Sequence, residues 1–446
     1  MDSLQTLAVI IFWTSACLAV YAYLGYPLLV SILARVFGKK ARPAEVADEE
    51  LPSVSQLICA YNEDAVIAER IETALATDYP AERFEIVVAS DGSSDRTAEI
   101  VKRYAARGVR LLDYKERRGK AEVLNASVPE LSGDIVLLSD ANTEIEPAAT
   151  RKLARWFADD AVGAVCGRLV LHDVRTSRNV DGLYWRYENH LKRCDASLGG
   201  LLGANGAIYA LRKDLFRPVP RGTIIDDFVI PLQAKLDSGC RIIYDCEAVA
   251  HEETAVDVRS EFRRRSRIGA GGCQCIGLLW PLLNPAHGWV AFTFFSHKIC
   301  RWLCPIAMLG LLLCNLALLE RPLYQVTMAT QAMFYLGAGL ASYLPGRSPA
   351  VRLLRLSSMF VGMNAALLVG IYRWLAGRQK GTWNRTVRTA EIAAAAASNA
   401  SKLSVVRIKA HQQDMLDVSM DEELSQNLSD SSPDMAPVGA SSAVNS

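Results

Sequence analysis

Acidic residues stand where apolar runs stop. Val87-Val88-Ala89-Ser90 leads into Asp91-Gly92-Ser93-Ser94-Asp95, and Ile135–Leu138 leads into Ser139-Asp140-Ala141-Asn142. Thr223-Ile224-Ile225 leads into Asp226-Asp227. A carboxylate in such a place can accept hydrogen bonds, hold a hard cation or take a proton. Each also has a plain structural explanation. Ser94 and Asp95 suit the start of a helix. Asp226 suits a first helical turn, where the dipole favours negative charge. Capping does not require Asp91, which precedes its turn. A carboxylate there can accept from a nucleobase or a ribose.

Further polar groups follow the same layout. Cys59-Ala60-Tyr61-Asn62-Glu63 closes the first apolar run, and its last two residues either cap the next helix or join a site. Arg117-Arg118-Gly119-Lys120 sets a cation at a helix N-terminus, which is unfavourable unless an anion is near. Lys120 therefore reads as a phosphate or base contact, or as part of a solvated basic surface. Asp140 and Asn142 are two apart and point the same way on an extended backbone. Oxygen ligands on one side suit Mg2+ or Mn2+ bridging a diphosphate; a plain turn is the alternative. Gly203-Ala204-Asn205-Gly206 lets backbone approach a ligand, or forms a hinge. Asp227 suits a general base if it faces a pocket. Arg263, Arg264, Arg265 and Arg267 crowd five positions. They suit anionic lipid heads, a leaving diphosphate, or a solvated face.

The elements that must position these groups are legible from periodicity. Short apolar runs at Val54–Cys59, Glu85–Ala89, Val109–Leu112, Ile135–Leu138 and Val162–Cys166 read as strands. Helical patterns at Asp64–Ala76 and Asp95–Ala106 alternate with them, which implies an α/β layer on a mostly parallel sheet. Ligands bind such sheets beyond the carboxyl ends of strands, where the polar motifs fall. Arg175–Asp195 and Arg259–Leu283 read as helices, the second lying near a membrane surface.

Ser3–Ala34 carries no charged side chain, more than the roughly 20 residues that cross a bilayer. Arg35, Lys39, Lys40 and Arg42 follow, placing that end in the cytoplasm. Leu303–Leu319, Val326–Leu344 and Ser357–Leu375 are further candidate spans. Glu391–Ala400 reads as a short helix, and His411–Ser446 as disordered. The 446 residues carry a net charge of +1, so bulk electrostatics do not point to nucleic acid. The 11 cysteines show no disulfide framework and read as small buried hydrophobes in a reducing compartment.

The order and spacing of these motifs resemble the membrane-bound family 2 glycosyltransferases, relatives of cellulose, hyaluronan and poly-N-acetylglucosamine synthases. The resemblance covers about Pro52 to Trp302 and the flanking helices. It implies an α/β GT-A domain at 52–290, after a spanning helix at 1–37 and a linker at 38–51. Further spanning helices follow at 291–376, then a basic and disordered tail at 377–446. It implies an inner-membrane, multi-pass enzyme with a cytoplasmic catalytic domain. The sugar would pass, with inversion, from a nucleoside diphosphate, taken as uridine-linked, to a glycan or lipid-linked acceptor. Polysaccharide-export proteins would be partners.

Residue by residue, the resemblance makes Asp91 the uracil contact, with Ala60, Tyr61, Glu63 and Lys120 near the nucleotide. Asp140 opens the metal and diphosphate motif, and Asn142 stands where many members have a second aspartate. Asp227 is the base, supported by Asp226, Asn205, Gly206, Arg265 and Arg267. Processive members carry Gln-x-x-Arg-Trp, which Arg264, Arg267 and Ile268 replace here, so the aromatic platform for an acceptor sugar is missing at that point. Single addition to a lipid carrier is one alternative, and a catalytically inactive nucleotide-binding scaffold is another.

Overall fold

The computed structural model describes residues 3–173, 178–179, 183–253, 258–341, 343–345, 348–379 and 381. The readings at Glu391–Ala400 and His411–Ser446 lie outside them.

Nine strands form one sheet: β1 (Val54–Ala60), β2 (Phe84–Asp91), β3 (Val109–Tyr114), β4 (Ile135–Asp140), β5 (Glu144–Ile145), β6 (Val162–Asp173), β7 (Arg178–Asn179), β8 (Tyr209–Arg212) and β9 (Arg241–Glu253). Their order is β3-β2-β1-β4-β8-β6-β9-β5, with β7 on β6. The first four run parallel; β8 runs antiparallel between β4 and β6. All seven residues of β1 are buried, as expected of a strand covered on both faces. Register sets Cys59 beside Asp140, Ala60 beside Ser90 and Asp91 beside Tyr114. Equal strand endings therefore bring three loops to one edge.

The helices are α1 (Ser3–Val20), α2 (Tyr26–Phe37), α3 (Ile67–Leu75), α4 (Thr97–Lys102), α5 (Lys120–Ser127), α6 (Ala149–Ala154), α7 (Leu183–Ser197), α8 (Asp226–Ser238), α9 (Val258–Leu278), α10 (Trp289–Thr293), α11 (Cys300–Ala317), α12 (Pro322–Leu340) and α13 (Pro349–Leu375). A π-helical turn at Tyr21–Gly25 joins α1 to α2, and another at Phe294–Ile299 joins α10 to α11. Gly239 ends α8 in a left-handed conformation, which a glycine adopts at no steric cost. All five expected strands are present. Arg178–Asn179 is strand rather than helix, pairing with His172–Asp173. The helix expected through Leu283 ends at Leu278 and tightens into a 3-10 turn at Trp280–Leu283.

Among the described residues, three helices are long and apolar enough to cross a membrane: Ser3–Phe37, Trp289–Ala317 and Pro349–Leu375. The span expected at Val326–Leu344 is not one of them; Gln325, Thr327, Thr330 and Gln331 dilute its apolar character. Leu4, Leu7, Ile10, Leu24 and Leu28 of the first helix stay exposed. A stripe of that kind is stable against lipid chains and costly against water.

Small residues seat α9. A Cβ on Gly370 of α13 would lie 2.0 Å from the Ser266 carbonyl oxygen, and one on Gly269 would lie 2.6 Å from that of Leu367. Close backbone approach of this kind requires glycine at both positions. Gly370→Val is expected to lower the melting temperature in detergent, losing about 1–3 kcal/mol or more through overpacking. Gly362→Ala, where an added Cβ meets nothing within 4 Å, is expected to leave it unchanged or slightly raised.

Candidate active site

The three loops at the sheet edge are fastened to each other. Asn62 has φ 55°, the one non-glycine residue in the left-handed region among those described. Its N–H donates to Ser93 Oγ at 3.1 Å, and its Oδ1 accepts from Ser94 N–H at 2.8 Å. Glu63 N–H donates to Thr97 Oγ1 at 2.8 Å, and Asp64 N–H to Asp95 Oδ2 at 3.1 Å. Asp95 also accepts from Thr97 N–H at the first turn of α4, as the helix-start reading expects. Arg117 stacks its guanidinium over the Tyr61 ring at 3.9 Å. Such a pair forms a flat polar wall beside Ala60.

Asp91 lies beneath this edge. It is 0% exposed, and its two oxygens accept from Arg118 N–H at 2.6 Å and Gly119 N–H at 2.9 Å. Through these two bonds Asp91 has a task within its own chain. Asp91 shapes the turn that starts α5. Gly119 takes φ 91° there, open to glycine, and Lys120 is the next residue.

Lys120 gathers the acids. Its Nζ lies 2.7 Å from Asp140 Oδ1 and 3.4 Å from Asp226 Oδ2. Burial works against its charge, but Asp140 and Asp226 outweigh that and hold it well above the usual lysine range. Asp227 accepts from Gly206 N–H at 2.8 Å, while Ala204 N–H donates to the Asp227 carbonyl. A Cβ on Gly206 would lie 3.3 Å from Asp227 Oδ2 and 3.6 Å from Asp140 Oδ2. Both acids therefore face one small space, kept open because residue 206 has no side chain. Burial pushes the Asp227 carboxyl up to about 6, helped by the charges of Asp226 and Asp140 and opposed by Lys120 and Gly206. It is then a base poised near neutrality.

Asp140 and Asn142 do not share a direction. The backbone turns at Ala141–Asn142, with Thr143 N–H on the Asp140 carbonyl, so the extended geometry assumed from sequence is absent. Asn142 gives its amide N–H to Glu252 of β9 instead. Among the described residues no three His, Cys, Asp or Glu side chains gather in a metal-holding group. A partly exposed Asp140 still fits an ion bound by one carboxylate and a substrate's own phosphates, the usual manner of Mg2+.

The arginine cluster is partly spent. Arg264 and Arg265 both bind Glu261, at 2.9 and 2.7 Å. Burial alone would raise Glu261, but the two guanidinium groups hold it down to about 2. Arg265 is thus partly neutralised before any diphosphate arrives; Arg267 is partly exposed one turn after Arg263. Past the cluster, Gly271 makes room for Ile224 and Ile225, and Gly272 for the Trp302 ring. Trp302 is buried and meets Phe228 edge-on at 5.7 Å. Phe294, from the π-helical turn before α11, also packs on Phe228, at 6.0 Å.

Sequence reasoning missed the support from α7. Lys192 donates to Asn205 Oδ1, and Asn205 Nδ2 donates to the Gly167 carbonyl at 2.8 Å. Glu188 and Asp195 of α7 meet Arg301 and His297 of the helix at Trp289–Ala317. Charged residues inside an apolar span were the available signal.

The mixed sheet, with its acids at the carboxyl ends of parallel strands, defines the α/β GT-A class of nucleotide-diphospho-sugar transferase folds. A mannosyltransferase from Pyrobaculum calidifontis, solved with GDP-Man and Mn2+, superposes with a TM-score of 0.61 at 21% identity, covering 83% of this chain and 100% of that one. Residues 55–218 match the model of Glycosyl transferase family 2. The probable glycosyltransferase YdaM of Bacillus subtilis is 35% identical over 126 residues, 27% of this chain and 30% of that protein. An N-acetylglucosaminyltransferase of Rhizobium meliloti is 26% identical over 308 residues, 64% of this chain and 72% of that protein. The chain thus spans less than a third of the Bacillus relative.

Lys120→Met is expected to destabilise the fold by roughly 3–5 kcal/mol, because it leaves Asp226 buried without a counter-charge. Adding Asp226→Asn should restore much of the loss in a thermal melt. Additive losses would mean the two side chains are not coupled.

Proposed function

We propose that this protein is an inverting glycosyltransferase, moving a sugar from a nucleoside-diphosphate sugar to a glycan or lipid-linked acceptor at the inner face of a plasma membrane. The observation that carries the reading is the space over Gly206, which Asp140 and Asp227 share while Lys120 ties Asp140 to Asp226. The family domain and the N-acetylglucosaminyltransferase relative support it.

The donor's nucleoside lies along the Ala60–Glu63 edge, against the wall that Tyr61 and Arg117 form. Lys120 sets a cation at the start of α5, close to where the diphosphate must end. Asp140 would hold Mg2+ or Mn2+ with the diphosphate, and the bound ion would supply Lewis-acid stabilisation of the leaving group. Asp227 orients the acceptor hydroxyl and takes its proton. The hydroxyl oxygen forms a bond to the anomeric carbon as the bond to the diphosphate breaks, and the electron pair leaves with the diphosphate. One displacement inverts the anomer. Gly206 fixes Asp227 through its N–H, and Asn205 is held in turn by Lys192. The membrane-crossing helices keep a hydrophobic acceptor within reach.

Asp227→Asn is expected to keep nucleotide affinity and lose about 10²–10⁴-fold in turnover. Its near-normal turnover would remove Asp227 from the role of base. Wild-type turnover should fall as pH drops below about 6, because the raised carboxyl then takes up a proton and can no longer act as base. UDP-sugars come first in the donor panel, following the sequence resemblance, with GDP-sugars beside them. Chelation should slow transfer and weaken nucleotide binding, with Mg2+ and Mn2+ compared in restoring both.

A further inference from the structure

We propose that Lys298, with Lys192, forms an anion site beside the Asp227 loop on its membrane side, and that it takes a phosphate group of the acceptor. The inference rests on the transferase reading and names the acceptor's chemistry.

His297, Lys298 and Arg301 interrupt an otherwise apolar helix, Trp289–Ala317. Ionisable groups are costly in such a segment and are retained where they are paired or used. Two of the three are paired. Arg301 binds Glu188, and His297 Nδ1 meets Asp195 Oδ2 at 2.7 Å. Asp195 also accepts from the Tyr26 hydroxyl at 2.5 Å, and burial pushes its carboxyl up to about 7 against that hydrogen bond. Both carboxylates of α7 are therefore engaged. Lys298 makes no hydrogen bond or ion pair among the described residues. Lys192 has only the neutral Asn205 amide oxygen.

Geometry brings both ammonium groups toward the reacting centre. The π-helical turn at Phe294–Ile299 widens the helix beside α1 and α2, where Tyr21 donates to Ser296 Oγ at 2.8 Å. Such turns re-aim side chains and recur at functional sites. His297 then faces Asp195, while Lys298 lies 5.9 Å from the centroid of the Phe228 ring. Trp302, one turn on, packs against the same ring. Phe228 follows Asp227 in the chain. Lys192 reaches the loop from the other element, since Asn205 adjoins Gly206 and Gly206 holds Asp227. The charges of Asp227 and Lys298 both reach the buried Cys275 of α9.

Two cations without a carboxylate partner thus flank the loop that carries the base. Lys120 does not compete for this role, because Asp140 and Asp226 hold it at the start of α5, where the proposed donor diphosphate ends. Both ammonium groups are only half-buried, which leaves them open to a ligand, and a bound anion would offset the cost of a partly desolvated charge. Lysine binds phosphate as a point charge, without the planar fork that selects carboxylates. Lys298 sits on a membrane-crossing helix, so a phosphate with its tail in the bilayer reaches it directly. A water-soluble phosphate is the other source of the same chemistry.

The test uses the full chain in lipid nanodiscs and measures equilibrium binding of a polyprenyl phosphate, the matching polyprenol and inorganic phosphate, with nucleoside diphosphate binding as a control. Wild-type protein is expected to prefer the polyprenyl phosphate over the polyprenol by roughly 10- to 100-fold. Lys298→Met should abolish that preference and Lys298→Arg keep most of it, with nucleotide affinity unchanged in both. Inorganic phosphate competing at the same concentration supports the site with a soluble source; failure to compete supports a lipid source. An unchanged preference in Lys298→Met with intact nucleotide binding overturns the proposal. Should that variant not fold, Lys192→Met carries the test, a weakened preference supporting the site and an undiminished one overturning it. Absence of nucleotide binding in the wild type would instead overturn the transferase reading, leaving the phosphate preference to be judged separately.

Discussion

One ammonium group organises the site. Lys120 bridges the end of β4 and the start of α8 from the first residue of α5, through Asp140 and Asp226. Asp226 is buried, and an isolated ionised carboxylate there would be very costly. Lys120 makes the burial tolerable and leaves the cluster net negative, with three acids to one lysine. Burial first, and then that excess, make Asp227 hold its proton more tightly than a surface aspartate. Structure and chemistry thus share a cause: the pairing that lets α8 dock at the sheet edge also tunes the neighbouring acid.

The supports of Lys120 reach back into the sheet. Register aligns the ends of β1, β2 and β4, so loops far apart in sequence become neighbours. Asp91 then uses both oxygens to hold the turn that presents Lys120. On the other side, Gly271 and Gly272 let α9 approach Ile224, Ile225 and Trp302 closely, which fixes the segment entering α8. Gly269 and Gly370 hold α9 against α13 at backbone distance. A helix long and apolar enough to cross a membrane and the acid pair are therefore linked through two packed contacts, and α7 adds a second link through Lys192 and Asn205.

Much of this was legible beforehand. Strands buried on both faces leave largely apolar runs, so β1, β2 and β4 announced themselves, with polar residues at their ends. The reading of Asp226 as part of a first helical turn placed the start of α8 correctly. Other features were hidden because they depend on contacts between distant residues. β8 is only four residues long, and β9 mixes charges into its apolar positions. Sequence could not say that the Arg118–Gly119 turn folds over the end of β2 onto Asp91. At Asn142 an extended backbone was assumed where the chain turns. The arginine cluster gave no sign that Glu261, two residues before it, would neutralise part of it. Charges within the span at Trp289–Ala317 were visible, but their partners on α7 were not.

The central claim is electrostatic, and carboxyl titration reads it directly. Aspartate-labelled protein, followed by carbon NMR across pH 4 to 8 against an Asp227→Asn control, would isolate the Asp227 resonance. A midpoint near 6 that moves lower in Asp226→Asn is the expected result. An Asp227 carboxyl titrating at an ordinary surface value, indifferent to Asp226, would contradict the shared cluster.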